Sequence, residues 1–373
     1  MKRLVLLGGG HSHVEVVRRF GERPLNDTAV ALISPDRHTA YSGMLPGFVA
    51  GHYGFNDCHI DLEPLCSAAG IAFRRAMANG IHPEDSCVTC SDGSVVEYDV
   101  LSIDVGSTPD VRAIPGALEH GTRVKPVAGF LEAWERILAE SHSGHPKSLV
   151  FVGGGAGAVE LAAAIHHRLT NEAPASAARI VLLTDAASIL PTHPARVRRI
   201  FERVLGARGI EIRCATKAVR VSPVGVECAG GTLVRADHAI VATGAGAPAW
   251  IASSGLNVDS RGFIAVNAHL QSPSHSNVFA AGDIATMIDD PRPKMGVYAV
   301  RQGPVLHANL RRAIQGEALE RYTPQKYALS LISTGDKHAV ASWNGIAFEG
   351  DWVWRWKDHI DRRFMATYRR PRS

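Results

Sequence analysis

The chain has 373 residues, 46% hydrophobic and 20% charged, an ordinary globular composition long enough for two or three domains with cores of their own. Its formal charge of +4 equals the surplus of residues 351–373 alone, so the rest is neutral and offers no broad basic surface for nucleic acid. No run approaches the roughly 20 apolar residues of a spanning helix, and only four apolar residues separate Arg3 from Gly8, too few for a secretory signal; a cytoplasmic location and reduced thiols at the six cysteines are expected.

The first element is an apolar strand from Leu4 that runs into Gly8-Gly9-Gly10 and opens a helical pattern through Val17. The plan returns at Leu149–Ile165 around Gly153-Gly154-Gly155-Ala156-Gly157. Each copy is followed by a second apolar strand, Ala29–Ile33 and Ile180–Leu183, at the distance a crossover helix requires. Each then develops an alternating stretch broken by a turn, Cys87–Tyr98 and Val219–Val234, and closes on a strand ending in glycine, Val100–Gly106 and His238–Gly244. Between Thr192 and Gly209 the residues Val197, Ile200, Phe201, Val204 and Leu205 share one helical face, and Ile210–Arg213 reads as a short strand. Asn277–Asp283 delivers an acid on a tight Gly-Asp turn, and a helix is expected from about Met295. Leu329–Ile332 and His338–Ser342 read as antiparallel strands, Asp351–Tyr368 as a helix.

Two glycine turns at strand ends, each opening a helix, place free amide groups where the pyrophosphate of a dinucleotide binds. Asp283 at the end of a third strand suits the hydroxyls of a flavin side chain. In the first turn His13 takes the position that normally allows close helix–strand packing. The helix is therefore expected to stand further from its strand, or the imidazole to turn aside and bond a neighbouring backbone group.

On these residues the chain resembles the FAD- and NAD(P)-binding flavoproteins with two dinucleotide domains, the superfamily of glutathione reductase, type II NADH dehydrogenases and sulfide:quinone reductases. Ser102–Ser107 and Val241–Gly244 stand where that superfamily has its Ala-Thr-Gly turns. GGGHSHVEVVRRFG, Ala40–Gly47 and WRWKDHIDRRF are similar to the NADH-dehydrogenase-like flavoprotein domain found fused to selenide, water dikinase.

The resemblance implies an α/β fold with two Rossmann-like domains. A discontinuous FAD domain would comprise residues 1–116 and 257–318, an NAD(P)H domain residues 117–256, and a small C-terminal α+β segment residues 319–373. It implies that Gly8, Gly10 and His11 lie along the FAD pyrophosphate, that Ser42, Gly43 and Met44 sit near the isoalloxazine, and that Asp283 holds the ribityl chain. Ser34 and Asp36 stand where an acid usually takes the FAD ribose, and Ala78, Gly106 and Gly282 join the same set. The helix from Met295, Gly296 and Val297 would aim its positive end at the flavin. Gly153, Gly155, Gly157, Asp185 and Gly244 would bind the nicotinamide dinucleotide, with Glu160 reaching toward its nicotinamide ring. Thr184-Asp185 with no following arginine mildly favours NADH over NADPH. Lys294 is either a cation near the flavin or a solvated lysine at a helix start.

The implied activity is NAD(P)H oxidation through FAD, with electrons passed to a second acceptor. Gly296–Gln302 keeps only the second half of the quinone-site motif of type II NADH dehydrogenases, and quinone is the expected acceptor. The alternatives are a sulfur- or selenium-linked flavoprotein reductase and a slow flavin redox sensor. No cysteine pair stands where disulfide reductases carry one: Cys87 and Cys90 fall on opposite faces of a strand, and neither Cys58 and Cys66 nor Cys214 and Cys228 match a redox motif. His11 with His13, and His166 with His167, form no ligand face, so no metal is expected.

On a helix Val353, Trp356, Ile360 and Phe364 form one stripe with Arg355, Lys357, Arg362 and Arg363 around the rest. Such a helix either lies peripherally on a membrane or packs on its own domain, and the segment is also an expected homodimer contact.

Overall fold

The computed structural model describes residues 1–111, 114–142, 147–172 and 178–369; the last four residues of the basic tail lie outside them. Two five-stranded parallel sheets organise the chain. The first runs in the order Val278–Ala280, Val100–Ile103, Lys2–Leu7, Thr28–Ser34, Ala72–Arg75. The second runs in the order Gly121–Arg123, His238–Val241, Ser148–Val152, Arg179–Leu183, Glu211–Arg213. In both, the strand entering the glycine turn is central and the chain order reverses beside it. That reversal opens a crevice at the carboxyl ends of the strands, where dinucleotides bind in such sheets. The central strands are apolar throughout and buried, Leu4–Leu7 and Leu149–Val152 alike, as strands covered on both faces must be.

Each sheet carries a three-stranded antiparallel meander: Ala78–His82, Cys87–Cys90 and Val95–Glu97 on the first, Ala218–Ser222, Gly225–Cys228 and Leu233–Arg235 on the second. The alternating stretch Val219–Val234 is thus two hairpin turns, not one. Across the turn at Pro223-Val224 the paired residues Val221 and Val226 are five positions apart, so the alternation slips by one there. The helix Val127–Ser141 lies in a stretch without a start signal, since Pro126 at its N-cap has no side-chain oxygen to bond a free amide. The amphipathic helix is Ala195–Ala207, with Val197, Ile200, Phe201 and Leu205 buried.

The C-terminal segment is a three-stranded sheet, Ser330–Ser333, Ala339–Trp343 and Ile346–Gly350, capped by the helix Asp351–Tyr368. Ile332, Val340 and Ala347 join the core of the second sheet, and Met365 joins that of the first. The segment therefore clamps both units.

The expected apolar stripe of the last helix does not face outward as one band. Val353 is fully buried and Phe364 stacks on Tyr41 at 4.4 Å, whereas Trp352, Trp356 and Ile360 are 52%, 41% and 38% exposed. The inner face also carries a charged pair, Lys357 and Asp361, 2.5 Å apart and almost fully buried. The helix is oriented by what it packs against, and the stripe straddles the edge of that contact.

Candidate active site

His13 explains how the first turn works without a small residue. It is fully buried; its Nδ1 lies 2.7 Å from the carbonyl oxygen of Gly8 and its Nε2 2.8 Å from Ser102 Oγ. Nδ1–H donates to the backbone and Nε2 accepts from the hydroxyl, a neutral tautomer that burial enforces by pushing the imidazole down to about 4. The imidazole has turned aside into the helix–strand contact, the second of the two expected arrangements.

Gly8 adopts φ +96°, and a Cβ there would lie 2.4 Å from the carbonyl oxygen of Asp104. Gly153 repeats the geometry, with φ +127° and 2.3 Å to the carbonyl oxygen of Ala242. Only glycine fits either turn. Beyond them, a Cβ on Gly155 or Gly157 would meet nothing within 4 Å, so the second turn opens onto free space.

That space is one continuous cleft of about 1800 Å³, larger than the roughly 300–1,000 Å³ of a single small-molecule site. The two turns share it: Gly8, Gly10 and His11 line one end, and Gly153, Gly155, Gly157, Asp185 and Gly244 the other. Ser34, Asp36, Ser42, Ala78, Gly106, Asp283, Lys294 and Gly296 also line it. Gly-bounded pyrophosphate cradles at both ends of a cleft of this size fit FAD and a nicotinamide dinucleotide together.

Gly43, Met44, Gly282, Met295, Val297 and Glu160 are not among the residues that line the cleft. Gly282 N donates to Gln302 Oε1 at 2.7 Å, which fixes the turn that carries Asp283. The carboxylate of Glu160 faces the C-terminal sheet, where Oε1 accepts from the Ser333 amide at 2.7 Å. Burial raises its acid to about 7, opposed by Lys357.

Asp283 accepts from Ser107 Oγ at 3.0 Å and from Lys125 Nζ at 2.7 Å. Burial pushes the carboxyl up, but Lys125 and Ser107 outweigh it and hold it below the usual range. Lys294 is no solvated lysine: Nζ donates to Thr286 Oγ1 at 2.8 Å and to the carbonyl of Ala285, and it lies 4.1 Å over the ring of Phe263. Burial lowers its ammonium to about 8. Among the described residues no cysteine lines the cleft. The six thiols are unpaired, and burial raises Cys58 and Cys66 to about 12, far from the thiolate a redox cysteine needs.

Two further residues of the cleft, Lys125 and Asp104, have roles that no sequence motif marks. Lys125 finds Asp283 across 158 positions, a pairing with no local signal. Asp104 was legible only as an acid ending an otherwise apolar strand beside the glycine turn.

The pyridine nucleotide-disulphide oxidoreductase family model matches residues 2–303. Ferroptosis suppressor protein 1 of Taeniopygia guttata is 26% identical over 287 residues, 74% of this chain and 72% of that protein. The type II NADH:quinone oxidoreductase of Staphylococcus aureus strain NCTC 8325 is 22% identical over 347 residues, 86% and 85% of the two chains. The sulfide:quinone oxidoreductase of Aquifex aeolicus superposes with a TM-score of 0.81 at 21% identity, covering 99% of this chain and 92% of that one. The chain belongs to the pyridine nucleotide-disulphide oxidoreductase family.

Proposed function

We propose that this protein is an FAD-dependent NAD(P)H dehydrogenase that passes electrons to a quinone. The observation that carries the reading is the single cleft into which both glycine turns open. In this reading Gly8, Gly10, His11 and Asp283 belong to the flavin half, within residues 1–116 and 257–318. Gly153, Gly155, Gly157, Asp185 and Gly244 belong to the nicotinamide half, within 117–256. Gly8, Gly10, His11 and Asp283 would hold FAD, which would supply the hydride-accepting and electron-transferring chemistry.

The chain's own residues align and tune that exchange. Gly296 brings the N-terminus of the helix Gly296–Gln315 to the cleft, where its positive end favours negative charge. Lys294, held by Ala285 and Thr286, adds a fixed cation. Glu160, one helical turn beyond Gly157, turns away from the cleft and anchors the Ser333 amide of the C-terminal sheet. The quinone reading is supported by the type II NADH:quinone oxidoreductase and sulfide:quinone oxidoreductase relatives. A thiol-based sulfur reductase would need a cysteine in the cleft.

Quinones partition into lipid, and among the described residues no helix is long and apolar enough to cross a membrane. The outer face of the last helix carries Trp352, Arg355, Trp356, His359, Ile360 and Arg363, all exposed, and Ile346 and Phe348 of the adjoining strand are 49% and 52% exposed. Aromatic and basic residues on one face suit peripheral seating at a membrane interface.

Anaerobic stopped-flow mixing with NADH and NADPH tests the core of the reading through bleaching of the flavin absorbance, which a protein without this activity will not show. Reoxidation of the bleached enzyme by a soluble quinone, compared with polysulfide, selenite and a disulfide, tests the acceptor; preference for any of the last three overturns quinone.

A further inference from the structure

Asp104 places a carboxylate where the flavin pyrophosphate is expected. It follows the strand Val100–Ile103, is 2% exposed and belongs to the lining of the cleft. Its Oδ2 accepts from the amides of Ser12 at 2.9 Å and His13 at 3.2 Å, two of the first-turn donors of the helix His11–Glu22. Gly10, the N-cap, has no side chain to supply that bond, so Asp104 caps the helix from another strand. The carboxyl is wedged between two glycines. A Cβ on Gly10 would lie 2.3 Å from both its oxygens, and one on Gly282 would lie 2.3 Å from Oδ1.

No cation answers this acid among the described residues. On the turn beside it Asp283 is a like charge, and Lys125 is spent on Asp283. From the helix, His13 is engaged by Gly8 and Ser102, and burial holds His11 neutral, its imidazole pushed down to about 4. Lys294 is directed at Ala285 and Thr286. Among the described residues the helix N-terminus is thus the positive element that faces Asp104. A pyrophosphate at Gly8, Gly10 and His11 would bring its negative charge to the same helix end.

We propose that Asp104 is a proton-bearing wall of the flavin site: it is protonated whenever FAD is bound, so FAD binding takes up a proton and weakens as pH rises. The inference rests on the flavin reading above. Two anions at one desolvated helix terminus repel, and protonation of the side chain is the route open to relief. The direction agrees with the isolated site, where burial already raises the Asp104 carboxyl to about 7. Below that range the acid is protonated in either state and binding is indifferent to pH. Above it, each FAD bound draws one proton, and the slope of log Kd against pH approaches one by linkage.

The test is flavin release from the holoenzyme, equilibrated across pH 6 to 9 and read by the fluorescence of free FAD. The wild type is expected to hold a constant Kd near pH 6 and to weaken about 100-fold by pH 9, since a two-unit rise in the Asp104 pKa on binding is a factor of 100 in affinity. Asp104→Asn keeps the shape without the charge, and Asp104→Ala removes the acid; both are expected to bind FAD with a flat pH profile. Lys294 titrates in the same window and serves as the competing explanation. A wild-type Kd independent of pH overturns the proposal, as does a wild-type slope retained in either variant. A holoenzyme lacking the flavin spectrum would instead defeat the flavin reading itself.

Discussion

Lys125 Nζ lies 2.7 Å from Asp283 Oδ2, so a cation from the segment that follows the edge strand Gly121–Arg123 of the second sheet neutralises the acid at the end of a strand of the first. Lys125 is 39% exposed on its side chain, which limits the pair to about 1 kcal/mol. Lys125→Met is expected to lower stability by about that much at pH 7. Because the Asp283 carboxyl is held low, its contribution is present at neutral pH and lost only as pH falls below the ordinary aspartate range. Wild-type and variant denaturation curves should therefore converge in strong acid; a constant gap would show that the pair is not the cause.

His13 makes a different pH prediction. Its neutral form is bonded on both nitrogens and its folded pKa, about 4, lies below the ordinary 6.5. The unfolded chain therefore takes up the proton first, and stability declines as pH falls from about 6.5 to about 4. His13→Ala leaves the Gly8 carbonyl and Ser102 hydroxyl unsatisfied around a void, at a cost of about 3 kcal/mol. Denaturant midpoints at pH 7.5 and pH 5 check both statements: the variant should start lower and lose less on acidification.

Glu160 is buried, and its acid is raised to about 7. Its carboxylate bonds the Ser333 amide and does not line the cleft, so its part is structural. Glu160→Gln keeps that bond and is expected to leave steady-state quinone turnover unchanged, whereas Glu160→Ala leaves the buried Ser333 amide unsatisfied and is expected to lower stability by about 2 kcal/mol. A large loss of turnover in Glu160→Gln at unchanged stability would instead give the carboxyl a part in the reaction.

Trp352 and Trp356 stack at 6.5 Å on the outer face of the last helix, where substitution leaves the core intact. The double variant Trp352→Ser, Trp356→Ser is expected to reduce flotation with anionic liposomes at least about tenfold, with little change in melting temperature. The wild-type interaction should weaken with salt, since Arg355 and Arg363 share that face. Equal flotation of both proteins would remove the membrane proposal.

The sequence by itself determined the two parallel βαβ units, the glycine turns, a helix start near Met295 and the extent of the last helix. These follow from local physics: apolar periods of 2 and 3.6, glycine's access to positive φ, and free amides at a helix N-terminus. Only the tertiary structure decided that Asp104 caps a helix 92 positions away, that Lys125 answers Asp283, that Glu160 turns to Ser333, and that Lys357 and Asp361 face inward. Each depends on desolvation and on partners brought from distant segments. A charged residue's role is set by what surrounds it after folding, whereas a strand or a turn is set largely by its neighbours in the chain.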